Sequence, residues 1–383
     1  MGNKLIFFYV SDSDTPVLVN SELWNTPLPV AIQNKSDAAE DAVSLGDYFT
    51  AAESFLGRDD FLVVKSAVRQ VDDTNLETAD VDRIDIYLVK HGQLYHPAKI
   101  EITFFKKTLS FVLNLAVSEA GGGCVEREFP ALQKLCHKSP DIPNVYEKGV
   151  VAVEGRPPFS MFLAKWFDGY KEFHISYDDG VKKVIVWDYE QGFYYLSQDE
   201  AFQLYRKASA IMTSCYNIET FEQIQPWHHA AGDFVVKKND DGVDVKLITV
   251  RQYTSLFENT FDDEESLLEA ELIFLVGLSI RMRLDRIDGV EESVWSEDFL
   301  VGAVLTGFFE TLITQKTPGA VDRDRSVTFK KYLLRIEPET INDFSMMILG
   351  SYHPESSDYL VVSDNISAHI ALLELEIKKV VEC

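Results

Sequence analysis

From Arg83 onward apolar and polar residues alternate, and that alternation sets the first elements. Ile84, Ile86 and Leu88 occupy every second position, a Lys90-His91-Gly92-Gln93 turn follows, and Leu94 to Ile102 resumes the extended pattern. A period of two places one set of side chains on one face, so the two runs read as a β-hairpin. A third strand spans Leu109 to Val117. Beyond it, Ala120-Gly121-Gly122-Gly123 reads as a flexible turn into a helix on which Val125, Phe129, Leu132 and Leu135 recur at helical spacing. Glu126 and Glu128 fall in that helix's first turns, where acids favour the dipole. Asn144 to Val153 and Phe159 to Trp166 bring the total to five strands around one helix.

Further along the period changes from two to that of a helix. Gln198 to Cys215 carries Ala201, Leu204, Ala208 and Ile211 on one face, and Glu264 to Arg286, Glu297 to Ile313 and Ile366 to Val381 are the clearest later helices. Val301 to Phe309 is apolar on nearly every side, as a buried helix must be. Ahead of the hairpin stand a short strand at Leu5 to Val10, a loop at Thr26-Pro27-Leu28-Pro29 and a helix from Asp37 to Phe55, with no recognisable chemistry. The pattern predicts an α+β protein: an extension over residues 1–80, a strand-rich lobe over 81–168 and a helical lobe over 169–383.

Composition narrows the function classes. A chain of 383 residues with 46% apolar content can bury a full core and divide into two lobes. With 36 basic against 62 acidic residues the net charge is −26, which repels phosphate backbones and argues against a nucleic-acid partner. A cationic or metal-bridged ligand suits that field better. Cys124, Cys136, Cys215 and Cys383 are scattered and lack CxxC spacing, so a reducing, cytoplasmic setting is expected. Leu5 to Val10 is too short for a signal peptide's apolar region, and no run approaches the ~18 apolar residues that span a bilayer.

Candidate chemistry concentrates in Trp227-His228-His229-Ala230-Ala231-Gly232-Asp233-Phe234-Val235-Val236, which leads through a charged turn to Val245–Ile248 and then to Thr249 and Arg251. Imidazole titrates near neutrality, so His228 or His229 suits a general base; packed beside Trp227, either serves equally well as a structural group. Asp233 suits a ligand or a hydrogen-bond organiser, or else caps its own turn. Arg251 suits a bidentate clamp on phosphate or carboxylate, or pairs with one of the many acids. The triple glycine lacks a following GK[ST], which removes the Walker reading. The acidic run from Glu258 through Asp262-Asp263-Glu264-Glu265 suits the start of a helix, or a wall that attracts a cationic substrate. No zinc-type spacing is present, and a tightly held metal is not expected.

In this order, over about residues 83 to 320, the chain resembles the protein-kinase-like superfamily, nearest its aminoglycoside and choline phosphotransferase branch. The resemblance implies a bilobal fold: a five-stranded antiparallel N-lobe with one helix, a mainly helical C-lobe, and ATP with Mg²⁺ in the cleft between them. On that footing Leu109 to Val117 resembles the strand carrying the phosphate-binding lysine, with Asn114 as its polar member. Glu126 or Glu128 resembles the helix glutamate that pairs with the lysine, and Trp166, within Ala164-Lys165-Trp166-Phe167-Asp168-Gly169, lies in the counterpart of the adenine-contacting hinge. Laid on the family's HGDxxxxN loop, Asp233 takes the place of the metal-binding asparagine and His228 that of the catalytic aspartate. The second metal-binding aspartate falls on or near Thr249, with Arg251 beyond.

The departures are chemical. Phosphoryl transfer requires a cation on the phosphates, acids that hold Mg²⁺ and a group that orients the nucleophile. The strand lysine is missing, its nearest substitutes being Lys106 and Lys107, and a threonine hydroxyl is a poor Mg²⁺ ligand. The expectation is a degenerate, pseudokinase-like protein that binds a nucleotide or small ligand, with a protein partner left open and no membrane role. The alternative is an ATP- and Mg²⁺-dependent phosphotransferase in which Asp233 holds the metal and His228 orients a hydroxyl of a small, cationic acceptor.

Overall fold

The computed structural model describes residues 5–10, 15–29, 42–92, 94–188, 192–257, 263–290, 292–315 and 324–382. Among them are eight α-helices and fifteen strands, an α+β protein as the pattern predicts. The chain divides into two units, one of Met1–His137 with Pro143–Asp168, the other of Lys138–Ile142 with Gly169–Cys383.

In the first unit β1 (Ile6–Val10), α1 (Leu45–Asp72), β2 (Val81–Leu88), β3 (His96–Phe104), β4 (Lys107–Ala116), α2 (Glu119–Leu135), β5 (Val145–Val151) and β6 (Phe159–Lys165) follow in turn. They form a single sheet of order β1-β2-β3-β4-β6-β5. The five expected strands pair antiparallel with one another, with α2 after the third of them. The sheet nevertheless has six strands, because β1 adds to it in parallel with β2, Ile6 opposite Ile84 and Phe8 opposite Ile86. A parallel neighbour needs a long crossover, and the segment containing α1 provides it. Phe8, Phe49, Phe55, Val64 and Val68 are buried in one core with Ile84, Ile100, Leu113 and Met161, so the described residues before 81 contribute to the core of this unit.

Helix α1 starts later than expected and runs further. Ser44 and Asp47 form a capping box at its start, Asp47 N to Ser44 Oγ at 3.1 Å and Ser44 N to Asp47 Oδ2 at 2.9 Å. Residues 37–41 of the expected helix lie outside the described residues. Inside α1, Asp59, Asp60 and Phe61 take left-handed φ values of 48°, 59° and 63°, so the element is two helical segments joined by a turn. The Gly121-Gly122-Gly123 stretch, expected as a turn, lies inside α2, whose N-cap Ser118 accepts from Gly121 N at 3.2 Å. A Cβ on Gly121 would lie 2.3 Å from the Leu94 carbonyl, so a glycine there lets the helix approach the β2–β3 connection.

The second unit opens with a meander of β7 (Phe173–Asp178), β8 (Val181–Asp188) and β9 (Gly192–Tyr195), then α3 (Gln198–Cys215), β10 (Glu222–Ile224), β11 (Phe234–Asn239), β12 (Gly242–Leu247) and β13 (Tyr253–Ser255). After these come α4 (Glu264–Arg281), β14 (Leu284–Arg286), β15 (Ser293–Trp295), α5 (Phe299–Thr314), α6 (Arg325–Leu333), α7 (Pro338–Leu349) and α8 (Ser357–Glu382). Helix α5 is buried on nearly all sides, as its composition requires, and Ser209 Oγ of α3 donates to the Val304 carbonyl at 2.7 Å. The helix expected over Glu264–Arg286 stops at Arg281, because Leu284–Arg286 pairs with Ser293–Trp295 as a hairpin. No described helix is long and apolar enough to cross a membrane.

Candidate functional site

The segment from Trp227 to Arg251 is held by the β11–β12 hairpin. Phe234 pairs with Leu247 at the hairpin's open end, and Ile248 N donates to the Asp233 carbonyl at 2.8 Å. Asp233 is thereby fixed one residue before β11, facing the coil that leaves β12. Gly232 precedes it at φ 84°, a left-handed turn that glycine adopts without strain, while Asp233 N and Phe234 N both point at the Ala230 carbonyl, at 3.2 and 3.0 Å.

This geometry brings Asp233 and Arg251 together. Arg251 Nη1 donates to Asp233 Oδ2 at 2.9 Å. Asp233 is 4% exposed and Arg251 half-buried, so the pair is a charge-assisted hydrogen bond in a partly dry setting. Asp233 Oδ1 is buried with no hydrogen-bond partner. The aspartate therefore anchors an ion pair and does not cap its turn with its side chain, and the arginine's acid partner is the other candidate residue. Thr249 is half-buried on the coil between them.

The two histidines differ. His229 Nδ1 donates to the Ala231 carbonyl at 2.7 Å, which pins its ring within the loop. His228 lies at the surface, where partial desolvation and then Arg251 push its pKa below the ordinary imidazole value; His229 and Arg281 act the same way and Asp358 opposes them. The neutral ring that results can accept a proton. Trp227 is 6% exposed, and its Nε1 is buried without a partner.

Mg²⁺ prefers hard, charged oxygens, commonly one or two carboxylates beside substrate phosphates and water. Here one carboxylate is already neutralised by a guanidinium, and Thr249 brings no charge. No cluster of three or more histidine, cysteine or acidic side chains suited to a metal occurs among the described residues. The donor set does not fit the metal.

The candidates of the first unit lie around the sheet. Asn114 on β4 is half-buried, opposite Pro97 of β3 and Phe162 of β6. Glu126 is exposed and pairs with Lys148 of β5 at 2.6 Å. Glu128, by contrast, is 1% exposed, and after burial itself it is the next cause raising the pKa of Tyr95. Trp166, half-buried just after β6, has Lys99 Nζ 5.8 Å from its ring centroid. Lys99 opposes Val112, two residues from Asn114, and therefore shares a sheet face with that asparagine; it also pairs with Glu101 at 2.6 Å. Lys99 was missed in the sequence, although it stands on the polar side of the alternation of β3.

Of the acidic run, Glu258 and Asp262 lie outside the described residues. Asp263 caps α4, its Oδ1 accepting from Ser266 N at 2.8 Å, which favours the helix-start reading for this residue. Compared with known proteins, the chain matches no family model and no curated sequence.

Proposed function

We propose that the chain is a degenerate kinase-like protein that binds a nucleotide or another small ligand without transferring a phosphoryl group. The observation that carries this reading is the Asp233–Arg251 pair, which puts a guanidinium on the carboxylate that a kinase-like enzyme would direct at its metal. Phosphoryl transfer depends on electrostatic stabilisation by such a metal. Ligand binding draws support from Lys99 and Trp166, a cation beside an aromatic ring, which together suit a phosphate and a base.

The phosphotransferase alternative has one observation in its favour, the partnerless Oδ1 of Asp233. Full-length protein titrated with ATP, in Mg²⁺ and in EDTA, separates the two by thermal midpoint and by release of phosphate. A ligand at 100 times its Kd stabilises the native state by about 2.7 kcal/mol. The expected result is the same shift with and without Mg²⁺, a smaller one in Lys99→Met, and phosphate release no faster than in buffer. Mg²⁺-dependent release that disappears in Asp233→Ala overturns the proposal in favour of the enzyme, and no shift with any nucleotide removes the nucleotide from it.

A further inference from the structure

Between β10 and the C-terminal half of α4 lies a small pocket whose interior admits about one oxygen-sized atom (10 Å³). Its walls include Phe274 and Leu278 of α4, and its polar lining is Gln223, Gln225, Trp227 and Arg281. Indole and guanidinium are donors only, and the two glutamines can also donate. Trp227 is more than nine-tenths buried and its Nε1–H has no partner, an uncompensated donor on a residue that lines this recess. Leaving such a group unmet is costly, so it marks a place for an acceptor.

We propose that this pocket receives one oxygen of an oxyanion group, a carboxylate or a phosphoryl, held by Trp227 Nε1–H and the Arg281 guanidinium without a metal. Charge makes the acceptor an anion. Arg281 is the one charged residue lining the pocket; of the charges acting on the adjoining His228, Arg251 is already paired with Asp233, and Asp358 is the acid. In a chain of net charge −26, a pocket lined by a guanidinium and by no carboxylate departs locally from the overall sign. The negative end of the α4 dipole opposes an anion, but by less than a charge-assisted hydrogen bond contributes. The small volume means that the rest of the ligand stays at the mouth, so the pocket reads a terminal oxygen and leaves the remainder of the molecule free to vary. The inference stands on the second unit alone and does not depend on the kinase-like reading.

Indole N–H resonances report directly on it. The chain has five tryptophans, and the Trp227 signal is identified as the one missing from Trp227→Phe, which keeps an aromatic ring and removes the donor. Sodium acetate and sodium phosphate are titrated into the full chain in EDTA, with sodium chloride at equal ionic strength as reference. The Trp227 resonance is expected to move saturably with acetate, phosphate or both, and the arm that moves it names the group. Arg281→Met, at a half-buried position, should keep the resonance and lose the shift, and Trp227→Phe should bind the active anion about tenfold more weakly by calorimetry. A Trp227 signal that ignores both anions, that follows chloride equally, or that still shifts in Arg281→Met overturns the proposal.

Discussion

His369 on α8 and His96 on β3 are buried imidazoles that make the native state sensitive to acid. His369 is fully buried against Ser279, Nε2 to Oγ 3.0 Å, and burial followed by Arg283 lowers its pKa to about 3. His96 is 2% exposed, and burial followed by His91 lowers it to about 4. Unfolded imidazoles titrate near 6.5, so between that pH and about 4 the unfolded chain holds protons that the native chain does not. Stability from these two groups is fully present above about pH 6.5 and is lost as pH falls from there, by up to about 1.4 kcal/mol per pH unit for each. Urea denaturation at pH 7 and pH 5 should show the loss, and His369→Gln should flatten the slope by about one proton; equal stability at both values would refute it. At this scale the sequence shows Asp233 and Arg251 as separate candidates, since a carboxylate and a cation flanking a hairpin are visible in one dimension. Their pairing is not, because it depends on the register that sets Phe234 against Leu247. Lys99 and the Trp227–Arg281 pocket escape for the same reason: a shared face or wall is made by residues on different elements.

Elements with a strong apolar period are legible, and those resting on two or three residues are not. Helix α3 runs from Gln198 to Cys215 as its pattern predicts, and α5 differs only at its ends. The second half of α1 is obscured by Gly57-Arg58-Asp59-Asp60, which reads as a stop signal because the chain does turn there before resuming its helix. Asp59 in that turn is exposed and left-handed at φ 48°, a conformation that costs a residue with a Cβ about 1 kcal/mol. Asp59→Gly is therefore expected to raise the unfolding free energy by at most about 0.5 kcal/mol, the rest being offset by the freedom glycine adds to the unfolded chain. A denaturation midpoint unchanged or lowered in that variant would show that Asp59 has a compensating role. Strands β10, β13, β14 and β15 each have three residues, too few for alternation to register, and they exist because a partner elsewhere in the chain completes them.

Over the whole molecule, 62 acids against 36 bases produce a self-repelling surface. Salt shortens the range of that repulsion from ~30 Å at 0.01 M to ~3 Å at 1 M, so raising NaCl from about 20 mM to about 500 mM should raise the thermal midpoint. A midpoint that falls with salt would mean that favourable ion pairs outweigh the net charge. The α+β class is visible in the sequence because the period switches from two to helical along the chain; membership of the first strand in the sheet is not, since nothing local to Leu5–Val10 names a partner. That strand's parallel place beside β2 has a consequence for how the chain is made. On a ribosome adding about 5–20 residues per second, Val10 emerges some 4–15 s ahead of Val81. During that interval the edge of the nascent strand that β2 will cover has no partner within the chain, while its apolar face can already meet α1, on which Phe8 stacks against Phe49 with ring centroids 5.0 Å apart.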